Sequence, residues 1–124
     1  MRFMSIVTAD ADQTTVPTPA LLEAMHRLAE REFKAGRMIE NGGLTSLDQG
    51  TRVAINGGKV VVRDGPFAEA KEVIGGYAIF EVKTHEEAVA LAVEFMQLHA
   101  DHMPGWEGVC EVREFAGFAG QPTA

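Results

Sequence analysis

Residues 63–72, RDGPFAEAKE, crowd an arginine, an aspartate, two glutamates and a lysine around one proline and one phenylalanine. The segment joins two apolar runs, and a two-residue turn would suffice if chain reversal were its only task. The surplus of ionisable groups makes this the first place to look for chemistry. Asp64, just before Gly-Pro, can act as a base or orient a histidine if it lines a cleft. It can equally close an Asx-turn by accepting from backbone amides. Arg63 can pin a carboxylate bidentately, or simply end a strand at the surface. Lys71, near Glu69 and Glu72, can hold an anionic substrate or support Asp64; the alternative is a solvated, protonated lysine among acids. Pro66 is expected to fix the loop and Phe67 to fill the core.

Other candidates are more isolated. Tyr77 follows Gly75-Gly76 and can present its hydroxyl to a cleft or pack with that hydroxyl satisfied. His99 and His102 share a helix face around Asp101, but the segment stands at a helix end before Met-Pro-Gly, where histidines favour the dipole's negative pole. No third ligand is placed for a metal, and none is expected. Cys110, inside a strand pattern with no histidine at fixed spacing, reads as an inert thiol. The Gly-Gly pairs lack the frame of a phosphate-cradling loop, and no cofactor is expected.

The whole-chain numbers narrow the classes. The 124 residues suit one domain, expected over 1–116 with a tail at 117–124, and 46% apolar against 23% charged residues suit a globular one. The net charge of −7, with no Lys/Arg run, argues against a nucleic-acid partner. The single cysteine cannot form an internal disulfide, the apolar stretch in MRFMSIVTAD is too short for a signal peptide to be expected, and no apolar run approaches the roughly 20 residues that span a bilayer. A cytoplasmic protein with no membrane partner is expected.

The elements that must carry these residues follow from pattern. RFMSIV at 2–7 reads as a strand and TADADQTTVPTP as a loop. Thr18-Pro19 starts a helix to Ala35, with Leu21, Leu22, Met25, Leu28, Ala29 and Phe33 as its inner stripe and Gly36 as its stop. Residues 37–47 read as a second strand, where Asn41-Gly42-Gly43 signals a bulge or a closely approached backbone. TRVAI at 51–55 and KVVVR at 59–63 flank Asn56-Gly57-Gly58, a strong hairpin signal. Strand 72–82, a second helix from the Thr84 cap with Glu87 completing a capping box, and strand 107–115 finish the domain. This order predicts a split βαβ, ferredoxin-like α+β sandwich with an inserted hairpin, both helices on one sheet face. The other face is expected to be hidden by dimerisation, because several strands carry apolar residues at successive positions.

On "AGRMIENGGLTS", "VVRDGPFAEAKEVIGGYAIFEVKTHEEAVALA" and "PGWEGVCEVREF" the chain resembles the YCII-related family, in the branch named for its Asp-Gly-Pro-Phe motif. The resemblance covers most of the chain and implies a dimeric ferredoxin-like α/β barrel with a cleft between helices, sheet and hairpin. Some relatives are similar to lyase-like enzymes credited with a His-Asp pair; others are suspected of a regulatory role beside sigma factors. The histidine of that pair stands early in the first helix, where this chain has His26. Many relatives carry Gly-Glu-Gly-Leu after the second strand, where this chain has Gly42-Gly43-Leu44 after Asn41.

Two functions follow as expectations. One is a cofactor-independent acid-base enzyme on a small molecule, with Asp64 and His26 catalytic and Arg63, Lys71 and Tyr77 binding. The other is a small-molecule-binding accessory module without turnover.

Overall fold

A computed structural model describes residues 1–11 and 16–117. Among the described residues, six strands and two long helices follow as β1 (Arg2–Asp10), α1 (Pro19–Lys34), β2 (Met38–Gly43), β3 (Thr51–Asn56), β4 (Lys59–Asp64), β5 (Glu72–Glu81), α2 (His85–His102) and β6 (Gly108–Glu114), with a 3-10 turn at Leu47–Gln49. Four strands form one antiparallel sheet in the order β2-β5-β1-β6, while β3 and β4 pair only with each other. That order is compatible with a ferredoxin-like α+β fold carrying an inserted hairpin arm.

Local chemistry sets the element ends. Thr18 caps α1 by accepting from the Leu21 amide at 3.1 Å, Pro19 follows, and the Thr18 hydroxyl donates to the His102 carbonyl at 2.8 Å, tying the start of α1 to the end of α2. Thr84 caps α2 by accepting from the Glu87 amide, and Glu87 accepts in return from Lys83, one residue before the cap. Gly57 and Gly58 take the positive φ that the β3–β4 turn requires.

Phe3, Met38, Phe80, Val82 and Ala88 form the buried core between sheet and helices, with Ala29, Ala78, Leu91 and Val112 packed around it. Phe3 stacks on His85 at the start of α2, with ring centroids 5.6 Å apart. Strand alternation turns Met4, Ile6, Tyr77 and Ile79 to the opposite face. They are half-buried, and no layer of the described residues covers them.

Several boundaries differ from the sequence reading. β1 runs on to Asp10 because β5 offers it partners as far as Glu72, so part of the expected loop is strand. β2 stops at Gly43 instead of reaching residue 47. Its bulge falls at Ile39; the glycines serve close approach, since a Cβ on Gly76 would lie 2.9 Å from the Gly42 carbonyl oxygen. The expected α1 stripe is also turned: Leu21, Leu28 and Glu32 are buried, while Leu22 and Phe33 are exposed. The row at spacings of seven and four faces the core, and the carboxylate rides in it. The tail expected at 117–124 lies outside the described residues apart from exposed Gly117.

Candidate functional site

The arm and the loop after it build one compact constellation. Counting outward from the turn, Arg52 stands opposite Arg63, on the same face of the ribbon. The loop folds Phe67 beneath both: the Arg52 guanidinium carbon lies 4.3 Å and that of Arg63 4.9 Å from the ring centroid. Phe67 is buried, as its sequence context predicted, but its cover is two guanidinium planes. One oxygen of Glu69 accepts from both arginines, at 3.1 Å from Arg52 Nη1 and in a closer contact with Arg63 Nη2. Its own backbone amide and then Arg63 hold the Glu69 carboxyl below the usual range.

The rest of the Asp-Gly-Pro-Phe motif sets the return of this loop. Asp64 Oδ1 accepts from the Thr51 hydroxyl at 2.7 Å across the base of the arm, and the Gly65 amide donates to the Gly50 carbonyl at 2.9 Å. A Cβ on Gly65 would stand 2.5 Å from the Asp48 carbonyl oxygen, so only glycine lets these two backbones pass. The Gly65-Pro66 bond is cis.

The candidates named from sequence fall into separate places. Asp64 and Arg63 are neighbours in one strand and therefore point to opposite faces: Asp64 toward Thr51, Arg63 toward Glu69. His26 is 80% exposed on α1, where its one partner among the described residues is Glu30 at 3.8 Å one turn on. No hydrogen bond or ion pair joins it to Asp64 among the described residues. Lys71 is exposed and has no side-chain partner among them; its carbonyl accepts from the Ala11 amide at 2.8 Å. Tyr77 lies on the open sheet face and donates to Glu40 at 3.0 Å. That bond to a carboxylate raises the phenol's pKa, with burial adding to it. Thus Arg63 alone of the five belongs to the arm cluster.

Of the other candidates, His99 has structural partners. His99 is buried between Phe95 and Trp106, with ring centroids 4.8 and 4.6 Å away, and its Nδ1 lies 3.0 Å from the Phe95 carbonyl. Burial pushes the Cys110 thiol up, against nucleophilic use. An open apolar groove of about 530 Å³ lies between α2 and β6, lined by Val89, Val93, Met96 and Val112, with His85 and Gln97 at its polar positions.

Two residues escaped the sequence reading. Arg52 was legible by counting pairs from Asn56-Gly57-Gly58. Glu32 carried a weaker signal, four residues after Leu28 on the apolar row.

Fold and arm together define a mixed α+β domain with an antiparallel sheet and two helices, compatible with a ferredoxin-like fold, and a charged two-stranded arm. The profile of the YCII-related domain matches residues 1–115, and the chain belongs to that family. No curated protein matches the chain.

Proposed function

We propose that this protein is a homodimeric small-molecule-binding accessory module of the cytoplasm, and that its ligand is a small anion held by Arg52 and Arg63. One observation carries the reading: two guanidiniums are pre-organised on one phenyl ring and share a single carboxylate oxygen. Each arginine has five N–H donors in a fixed fork, and Glu69 engages one from each. The unused donors stand half-exposed, and the two positive charges meet one negative charge. A carboxylate or phosphate fits this surplus, whereas the stacked ring limits the entropy lost on binding. The dimer has the support of the uncovered sheet face, and the cytoplasm that of the free, half-buried Cys110.

Citrate is a suitable probe. Adding it should shift the side-chain Nε–H resonances of Arg52 and Arg63 saturably, while Arg27, paired with Glu23 on the outside of α1, should not move. Arg63→Ala should remove the response of Arg52 as well. Equal, linear shifts at all three arginines would defeat the reading.

A second reading, acid-base chemistry at Asp64, has one observation in its favour. Thr51 occupies Oδ1 and leaves Oδ2 without a partner among the described residues. Asp64→Asn should then abolish turnover of any substrate while the fold persists. If the variant retains turnover, Asp64 is a turn residue.

A further inference from the structure

The arm has two faces of opposite character. Cross-strand partners share a face, so Val53 with Val62 and Ile55 with Val60 lie on one side, and Arg52 with Arg63 on the other. The four aliphatic side chains are 67%, 65%, 75% and 68% exposed in that order. They form one contiguous apolar patch of roughly 400 Å², a size at which the largest patch of a monomer is often functional. Those exposures leave it uncovered by the described strands and helices, and among them β3 and β4 pair only with each other. A lone two-stranded ribbon is marginally stable in water and gains from a surface to lie on.

We propose that this aliphatic face is a clasp that seats on a second copy of the chain, an inference that rests on the homodimer reading above. Area is the first argument for that occupant. Two exchanged arms, each covering an equal patch of the partner, bury on the order of 1,600 Å², the size of a standard stable interface. Charge is the second. Copies carrying −7 each repel one another over most of their surface, and the four-residue patch is uncharged, with Asp64 only at its base and tied to Thr51. The arm also returns to the main sheet at Glu72, close in sequence to exposed Ile74. Ile74 and Val109 both pair with Thr8, giving the open sheet face an apolar end of its own.

The clasp divides the roles of neighbouring residues. Asp64 shares the face turned to the partner, so any site containing it is completed by the second copy. Arg52 and Arg63 stay on the outer face, open to an anion.

Sedimentation of the full chain at micromolar concentration should show a dimer, and Val62→Asp should weaken its dissociation constant by about a hundredfold, because a charge would enter an apolar contact. Far-UV circular dichroism checks that the variant folds. Hydrogen exchange on the unmodified chain is the second measurement: the β3 and β4 amides should be protected at high concentration and lose protection on dilution. A dimer that Val62→Asp leaves intact overturns the clasp while the homodimer reading survives; a wild-type monomer overturns both. Protection independent of concentration means that the chain's own residues cover the patch, and also overturns the clasp.

Discussion

The molecule holds one glutamate between two arginines twice, and the two copies of this arrangement do different work. At the junction of α1, β2 and α2, Glu32 is fully buried. Arg37 donates to both its oxygens, at 2.6 and 2.9 Å, and Arg31 adds a third bond at 2.8 Å. Arg31 then spends its remaining terminal nitrogens on Glu94, at 2.7 and 2.5 Å. On the arm, Glu69 is exposed, and both arginines reach the same one of its oxygens. Burial makes the first cluster a structural joint, in which every carboxylate acceptor must be filled. Exposure leaves the second with donors to spare, which is what a ligand site needs.

This contrast can be broken first at its buried side. Glu32→Ala removes the acceptor shared by Arg31 and Arg37, which are themselves half-exposed, and should cost about 2 kcal/mol. A chain of this size would then lose on the order of 10 °C in melting temperature, readable by calorimetry. Glu69→Ala should change the same melt by less than about 0.5 kcal/mol, as exposed ion pairs do. Equal losses at the two sites would erase the distinction.

Acid should separate the clusters next. Arg37, then Arg31, hold the Glu32 carboxyl below its usual range against the opposing effect of burial. A carboxyl whose folded-state pKa is depressed contributes its full stability above the unfolded value, about 4.3, and loses it as pH falls through the folded value. The gap in melting temperature between the natural chain and Glu32→Gln should therefore be constant near neutrality and close below about pH 4. Glu69 shifts the same way but is exposed, so Glu69→Gln should show no comparable narrowing.

A smaller, local effect is expected from Phe67→Ala. Removing a buried phenyl typically costs about 3 kcal/mol, yet this ring packs under two arginines of the arm and lies outside the core of Phe3 and Phe80. Hydrogen exchange should quicken at β3 and β4 and leave the β1 and β5 amides unchanged. Faster exchange in both sheets would mean that arm and body fold as one unit.

Much of this architecture was legible before the structure. Asn56-Gly57-Gly58 placed the β3–β4 turn, Thr18-Pro19 and Thr84 started the helices, and element order gave the mixed α+β class with which the sheet is compatible. Those signals are local, set within a few residues by caps and turns. The unread parts depended on distant partners. β1 continues to Asp10 only because β5 lies beside it. Glu32 belongs in the core only because Arg37 arrives five residues later and Arg31 turns back to it. In the candidate site, the opposite orientation of Asp64 and Arg63 follows from strand alternation alone. The exposure of His26 required knowing which face of α1 packs, and the stripe as read from sequence was turned.

The most direct test of the arm as a ligand site uses Glu69 itself. This carboxylate offsets one of the two positive charges that an incoming anion meets at the unused donors, so it competes with the ligand from within. The affinity of citrate for the natural chain and for Glu69→Gln, followed through the Arg52 and Arg63 Nε–H resonances, should differ in favour of the variant by roughly fivefold. Unchanged or weaker binding by Glu69→Gln would contradict the account, because the two arginines would then be no more than partners of that glutamate.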